Sequence, residues 1–190
     1  MSRYFEYFPE TTHTQKKLLD ITKRVDFSRS TFSDPYAFLP YTVEGDDRPE
    51  DVALYYYGSV RHTWIVYLSN NIIDPYYDWP LTYEKFQDYI IKKYQDLSGE
   101  SGTAVIDWTL NETITENIIY YRNKSDNDFI ISKDSYELNP DLIEGEWEAV
   151  RYYLYEDDIN ESKRIINLLD NRYVKKAEDE LRVLLNEPTN

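Results

Sequence analysis

Cysteine is absent from the 190-residue sequence, which excludes disulfides, thiolate metal sites and thiol nucleophiles. Histidine is scarce: His13 and His62 are the only two, too far apart for the paired helical ligands of a zinc protease. The five glycines form neither a phosphate-cradling loop nor a Gly-x-Ser-x-Gly elbow. No apolar run reaches the roughly 18 residues of a membrane span. The opening stretch MSRYFEYFPETTHTQKK lacks the apolar centre of a signal peptide, so the expectation is a chain that folds in a cytoplasm. Positive charge is also in deficit. The chain has 21 Lys and Arg against 36 Asp and Glu, a net charge of −15. Such a surface repels a phosphate backbone, so no nucleic-acid partner is expected. A basic protein partner is compatible.

Tyrosine is in excess, at 20 residues. With 41% hydrophobic and 16% aromatic residues, the composition supports a real core rather than disorder. Tyrosine combines an apolar face with a polar tip and suits either a core rim or a protein interface. The acidic residues offer no carboxylate pair that stands out as a glycosidase couple. Ser125-Asp126-Asn127-Asp128 has a faint calcium-loop character but lacks the glycine and the closing glutamate. Asn-x-Ser/Thr sequons at Asn111, Asn123 and Asn160 are read as chance in an Asn-rich chain. His62 is read as a helix-surface or half-buried residue, not a general base. No catalytic residue, metal ligand or cofactor site is assigned.

The chain reads as α+β in three parts: an N-terminal arm over 1–37, a core with a third helix over 38–97, and a β-rich region with a C-terminal strand and helix over 98–190. The arm holds Tyr4, Phe5, Tyr7 and Phe8, and Pro9 stops a helix there. LLDITKRVDF is a short strand or helical turn, and Ser33-Asp34-Pro35 is a turn signal. Leu39 to Val43 reads as a strand and Glu44 to Asp47 as a turn whose aspartates are N-cap candidates. Pro49, Glu50 and Asp51 suit a helix start. Val52, Ala53, Tyr56 and Tyr57 share its face, and Gly58 is placed for a left-handed cap. Ser59 caps a second helix with Val60, Trp64, Ile65 and Leu68 on one face, which Asn70-Asn71 ends. Asp74-Pro75 marks the next turn. Thr82 caps a third helix lined by Tyr83, Phe86, Ile90 and Tyr94. Beyond the linker signal at 98–102, AVIDWTL, ENIIYYR, FIISK, AVRYYLY and KRIINLL are strand candidates. Asn171 is the expected cap of a final helix with Val174, Ala177, Leu181, Leu184 and Leu185.

The stretch from Tyr41 to Gly58 resembles the first half of a LysM module, a small βααβ unit, and the stretch from Trp64 to Pro75 continues the likeness. Arg48-Pro49-Glu50, Tyr57-Gly58, Trp64-Ile65-Val66, the run from Asn70 to Pro75 and Asp78-Trp79-Pro80 together resemble the baseplate wedge protein 53 family of T4-like contractile-tail phages. The run from Tyr155 to Asp170 resembles it too. The likeness covers 41–80 and 150–187, whereas 100–140 carries no motif that can be placed.

This resemblance implies a structural subunit of a tail baseplate wedge, linking neighbouring wedges around the central hub, with a LysM-like core as scaffold. It implies other baseplate wedge and hub proteins as partners, among them dimeric wedge core proteins and a lysozyme-like sheath-initiating wedge subunit. It implies a place in the virion tail baseplate after synthesis in the host cytoplasm, and brings no catalytic residue or cofactor. The chain departs from sugar-binding LysM modules after Pro75. Tyr76-Tyr77-Asp78-Trp79-Pro80 and a helix stand where a Pro-Gly turn into a closing strand is usual. A peptidoglycan-binding LysM-type module is the alternative. A hydrolase with a LysM-like anchor needs a catalytic domain that the motif-poor remainder hardly supplies. Tyr4, Phe5, Tyr7, Phe8, Tyr76, Tyr77 and Trp79 are the candidate interface residues. Trp79 has a second reading, as the closing side chain of its own core.

Overall fold

The computed structural model describes residues 8–20, 27, 34, 36–139, 142 and 145–186. In chain order a hairpin comes first, β1 (Glu10–His13) and β2 (Lys16–Leu19), and then β3 (Phe38–Thr42). Helix α1 (Pro49–Tyr57) leads through a 3₁₀ turn (Val60–His62) into α2 (Thr63–Ser69). Next come α3 (Tyr83–Ser98), α4 (Thr103–Leu110), β4 (Ile118–Asn123), β5 (Ile130–Ser132) and α5 (Lys133–Glu137). The chain closes with β6 (Trp147–Arg151), α6 (Tyr152–Ser162), β7 (Ile165–Leu169) and α7 (Asn171–Asn186). Helices and small antiparallel sheets are mixed, so the class is α+β. The chain divides into two compact units. The first joins the part ending at Trp79 to the part beginning at Arg164, and the second is the continuous Pro80–Lys163. The boundary expected at 97/98 falls inside the second unit.

In the first unit, β3 and β7 pair antiparallel, with Leu39 opposite Leu168 and Tyr41 opposite Ile166. With α1 and α2 they make a βααβ arrangement whose second strand arrives from far along the chain. Asn70, just past α2, acts as a strand surrogate: its amide donates to the Asn167 carbonyl (2.9 Å) and accepts from the Asn167 N–H (2.7 Å). The core under the ribbon holds Val43, Val52, Ala53, Val66, Trp79, Ile166 and Leu168. A second cluster packs Ala177, Leu181 and Leu185 of α7 with Trp64, Ile65, Phe8 and Phe27. The expected 3.6-residue stripes of α1, α2 and α7 are thus the buried faces, although Val60 is exposed.

Capping differs from expectation in two places. The aspartates before α1 do not cap it. Instead the Arg48 N–H donates back to the Asp51 carboxylate at 3.0 Å. At α7 the carboxylate of Asp170 accepts the Arg172 N–H (2.8 Å), while the Asn171 amide turns away to the Tyr56 carbonyl (3.1 Å). Asp170, one residue earlier, takes the capping role expected of Asn171. Gly58 does close α1 in the left-handed region at φ 72°, and Ser59 Oγ accepts the Arg61 N–H at 3.2 Å.

The arm holds a hairpin that its sequence does not announce. Thr14 and Gln15 both take positive φ, 47° and 64°, the twist that favours a two-residue hairpin turn and normally calls for Asn-Gly. Residues 21–26 of LLDITKRVDF, and Ser33 and Pro35 of the expected turn, lie outside the described residues. Asp34 does form a turn, its carboxylate accepting the Tyr36 N–H at 2.9 Å.

In the second unit, α3 buries Phe86, Ile90 and Tyr94 against Val105 and Ile106 of α4. Tyr83, expected on that face, is exposed. AVIDWTL is a helix, not a strand. Its β-branched residues favour a strand only weakly, and the buried set Val105, Ile106 and Thr109 has helical spacing once α3 offers an apolar face. ENIIYYR forms β4, the centre of a β5-β4-β6 sheet. FIISK contributes β5, after which Ser132 accepts the Ser135 N–H and starts α5. AVRYYLY splits between β6 and α6. The Arg151 guanidinium donates to the Asn111 carbonyl at 3.2 Å and the Tyr152 N–H to the Asn117 carbonyl at 3.1 Å. Tyr152 and Tyr153 then turn onto the α3–α4 core.

Candidate protein-docking surface

Loop 73–78 follows α2 and is tied by its own aspartates. The Asp78 carboxylate accepts the N–H groups of Ile73 (3.0 Å) and Asp74 (2.9 Å). The Asp74 carboxylate accepts the Tyr76 N–H at 3.0 Å. The Asp74 carbonyl accepts from Tyr77 (3.0 Å) and Asp78 (2.8 Å). Pro75 removes a donor and fixes φ. The side chains this backbone presents are apolar and open: Ile73 is 76% exposed, Tyr76 77% and Tyr77 60%.

Trp79 behaves oppositely. It is 6% exposed, packs in the core under the ribbon, and its indole N–H donates to the Asp47 carbonyl at 2.8 Å. Phe8 is likewise buried, against Trp64 and Ile65. Both therefore pack in their own unit, the second reading given for Trp79. Tyr4, Phe5 and Tyr7 lie outside the described residues. Ile73, which the sequence does not single out, is exposed beside the two tyrosines, with its N–H held by Asp78.

The titratable clusters are structural. Glu156, 4% exposed, accepts from Tyr94 (2.6 Å), Lys93 (2.7 Å) and Tyr89 (3.0 Å). Burial pushes its pKa up, but hydrogen bonds from Lys93, Tyr94 and Tyr89 outweigh that and hold it below the usual carboxylate value. Burial and the bond to Glu156 push the Tyr94 phenol far up. Both of its oxygens accept hydrogen bonds, so the carboxylate is an anchor within its unit. His62 Nε2 lies 3.3 Å from the Glu178 carboxylate and edge-on to Tyr57, a half-buried packing role. Among the described residues no cluster of His, Asp or Glu is placed to hold a metal ion, and no helix is long and apolar enough to cross a membrane. Asn160, one of the sequons, is buried and bridges the N–H (2.7 Å) and carbonyl (3.3 Å) of Leu81.

Comparison with known proteins agrees with the sequence motifs. Baseplate wedge protein gp53 of Enterobacteria phage T4 is 26% identical over 118 residues, 62% of this chain and 52% of that protein. The chain therefore spans about half the length of the curated relative it matches. The family model described as base plate wedge protein 53 matches residues 6–181, a span that includes the 100–140 region where no motif was placed. With nearly the whole chain inside that match, this protein belongs to the base plate wedge protein 53 family.

Proposed function

We propose that the chain is a structural subunit of a phage tail baseplate wedge and links neighbouring wedges around the central hub through protein contacts. The family match over residues 6–181 carries this reading. The net charge of −15 and the Glu156 carboxylate held by three hydrogen bonds fit a scaffold better than a catalyst. The partners in this reading are other wedge and hub proteins, including dimeric wedge core proteins and a lysozyme-like sheath-initiating wedge subunit. The chain is made in the host cytoplasm and assembled there. Residues 1–37 serve as an assembly arm with Phe8 packed in the core, and Tyr4, Phe5 and Tyr7 are its candidate contact residues.

The βααβ core acts as a LysM-like scaffold in this proposal. Its support is the β3–β7 pairing, in which β7 supplies the closing strand that does not follow Pro75. The same geometry supports the second reading, a peptidoglycan-binding module. Infection with a phage lacking this gene separates the two. A scaffold role predicts wedges that accumulate without joining into baseplates, seen by electron microscopy, and rescue by the supplied chain. Normal contractile tails in its absence, together with retention of the pure chain on insoluble cell wall, would establish the glycan reading instead.

A further inference from the structure

We infer that loop 73–78 is a preorganised docking knob for a basic protein surface, with Ile73, Tyr76 and Tyr77 entering an apolar depression rimmed by Arg or Lys on a neighbouring subunit. This inference rests on the structural-subunit reading. Three observations carry it. The first is rigidity: Asp78 and Asp74 accept the N–H groups of Ile73, Asp74 and Tyr76, so most of the ordering cost of the loop is met before binding. The second is exposure. The three side chains stand out in water while the next residue, Trp79, roots the loop in the core. Tyrosine in a fixed loop is a preferred interface anchor. The third is charge. No Lys or Arg lies between Arg61 and Lys85, whereas Asp74 and Asp78 flank the tyrosines, within a chain of net charge −15. An aromatic centre with a carboxylate rim is complementary to an apolar pocket with a cationic rim. The same carboxylates disfavour an anionic lipid surface.

The probe is wedge particles purified from cells infected with a phage lacking this gene, titrated with full-length chain. Wild-type chain binds, and raising salt from about 50 to 300 mM weakens it several-fold because the rim charges are screened. Tyr76→Ala/Tyr77→Ala weakens binding about tenfold or more, and Tyr76→Ala alone weakens it several-fold with the thermal transition unchanged, because that ring is 77% exposed. Asp78→Ala, which keeps the tyrosines and frees the backbone, falls between the two. Equal binding by wild type and the double variant overturns the knob while leaving the scaffold reading intact. Wild-type chain that fails to bind the particles at any salt overturns both. The knob is also overturned if the double variant keeps wedge binding and loses only cell-wall retention, or only self-association in sedimentation.

Discussion

The two units close in different ways. The first is discontinuous and recruits β7 and α7 from the far end of the chain with an apolar core. The second is continuous and keeps polar groups inside: among the described residues, of the buried polar Ser69, Thr109, Asn117, Glu156 and Asn160, only Ser69 belongs to the first unit. Asn117 donates to the carbonyls of Trp108 and Asn111, both at 2.8 Å, and Asn160 clamps Leu81. Apolar burial is non-directional and scales with area, so it suits the joining of distant segments. Directional bonds suit the setting of angle and register where two elements meet.

The most severe test of this difference is to stop the chain at Lys163. Removing β7 and α7 takes away Ile166, Leu168, Ala177, Leu181 and Leu185, so residues 8–79 lose their cooperative structure while 80–163 keeps its own. Hydrogen exchange reads both at once. Continued protection of β3 and α2 amides would show that the first unit does not depend on the distant segment.

Next in size is Glu156→Ala, which leaves the Tyr94 hydroxyl and Lys93 without their acceptor. It costs the second unit about 2–3 kcal/mol in urea unfolding. The carboxylate pKa is lowered in the fold, so its stabilisation is fully present above the unfolded value. It is lost as pH falls through the lower folded value. Glu156→Gln removes that part of the acid dependence. An acid profile unchanged by the substitution would mean that the buried charge does not set the unit's stability.

Asn70→Ala strips both bonds to Asn167 and the bond to the Val66 carbonyl (2.8 Å), for about 1–2 kcal/mol. Its exchange signature belongs on β7. An effect as large as that of Glu156→Ala would show that the first unit relies equally on directional bonds. The smallest expected effect is Gly58→Ala, about 1 kcal/mol from forcing a Cβ into the left-handed region, checked by the denaturation midpoint.

The parts of the fold legible in the sequence are those set within a few residues. Pro49, Gly58, Ser59 and Thr82 mark helix ends because capping is local, and the stripe Ala177, Leu181 and Leu185 marks a buried face because the α-helical repeat is local too. The Tyr76–Tyr77 pair beside Pro75 could likewise be singled out by its composition.

The sequence alone determined the α+β class, the helix punctuation over 49–69 and the family motifs. Long-range geometry decided the rest. β3 and β7 are separated by the whole second unit, and no local pattern encodes which distant strand completes a ribbon. AVIDWTL became a helix because α3 supplied its burial, and AVRYYLY broke at Arg151 because carbonyls from residues 111 and 117 fixed the turn. Whether an aromatic faces core or water was decided the same way. Trp79 found an acceptor at Asp47, whereas Tyr76 and Tyr77 were turned outward by two aspartates whose bonds exist only once the loop is folded.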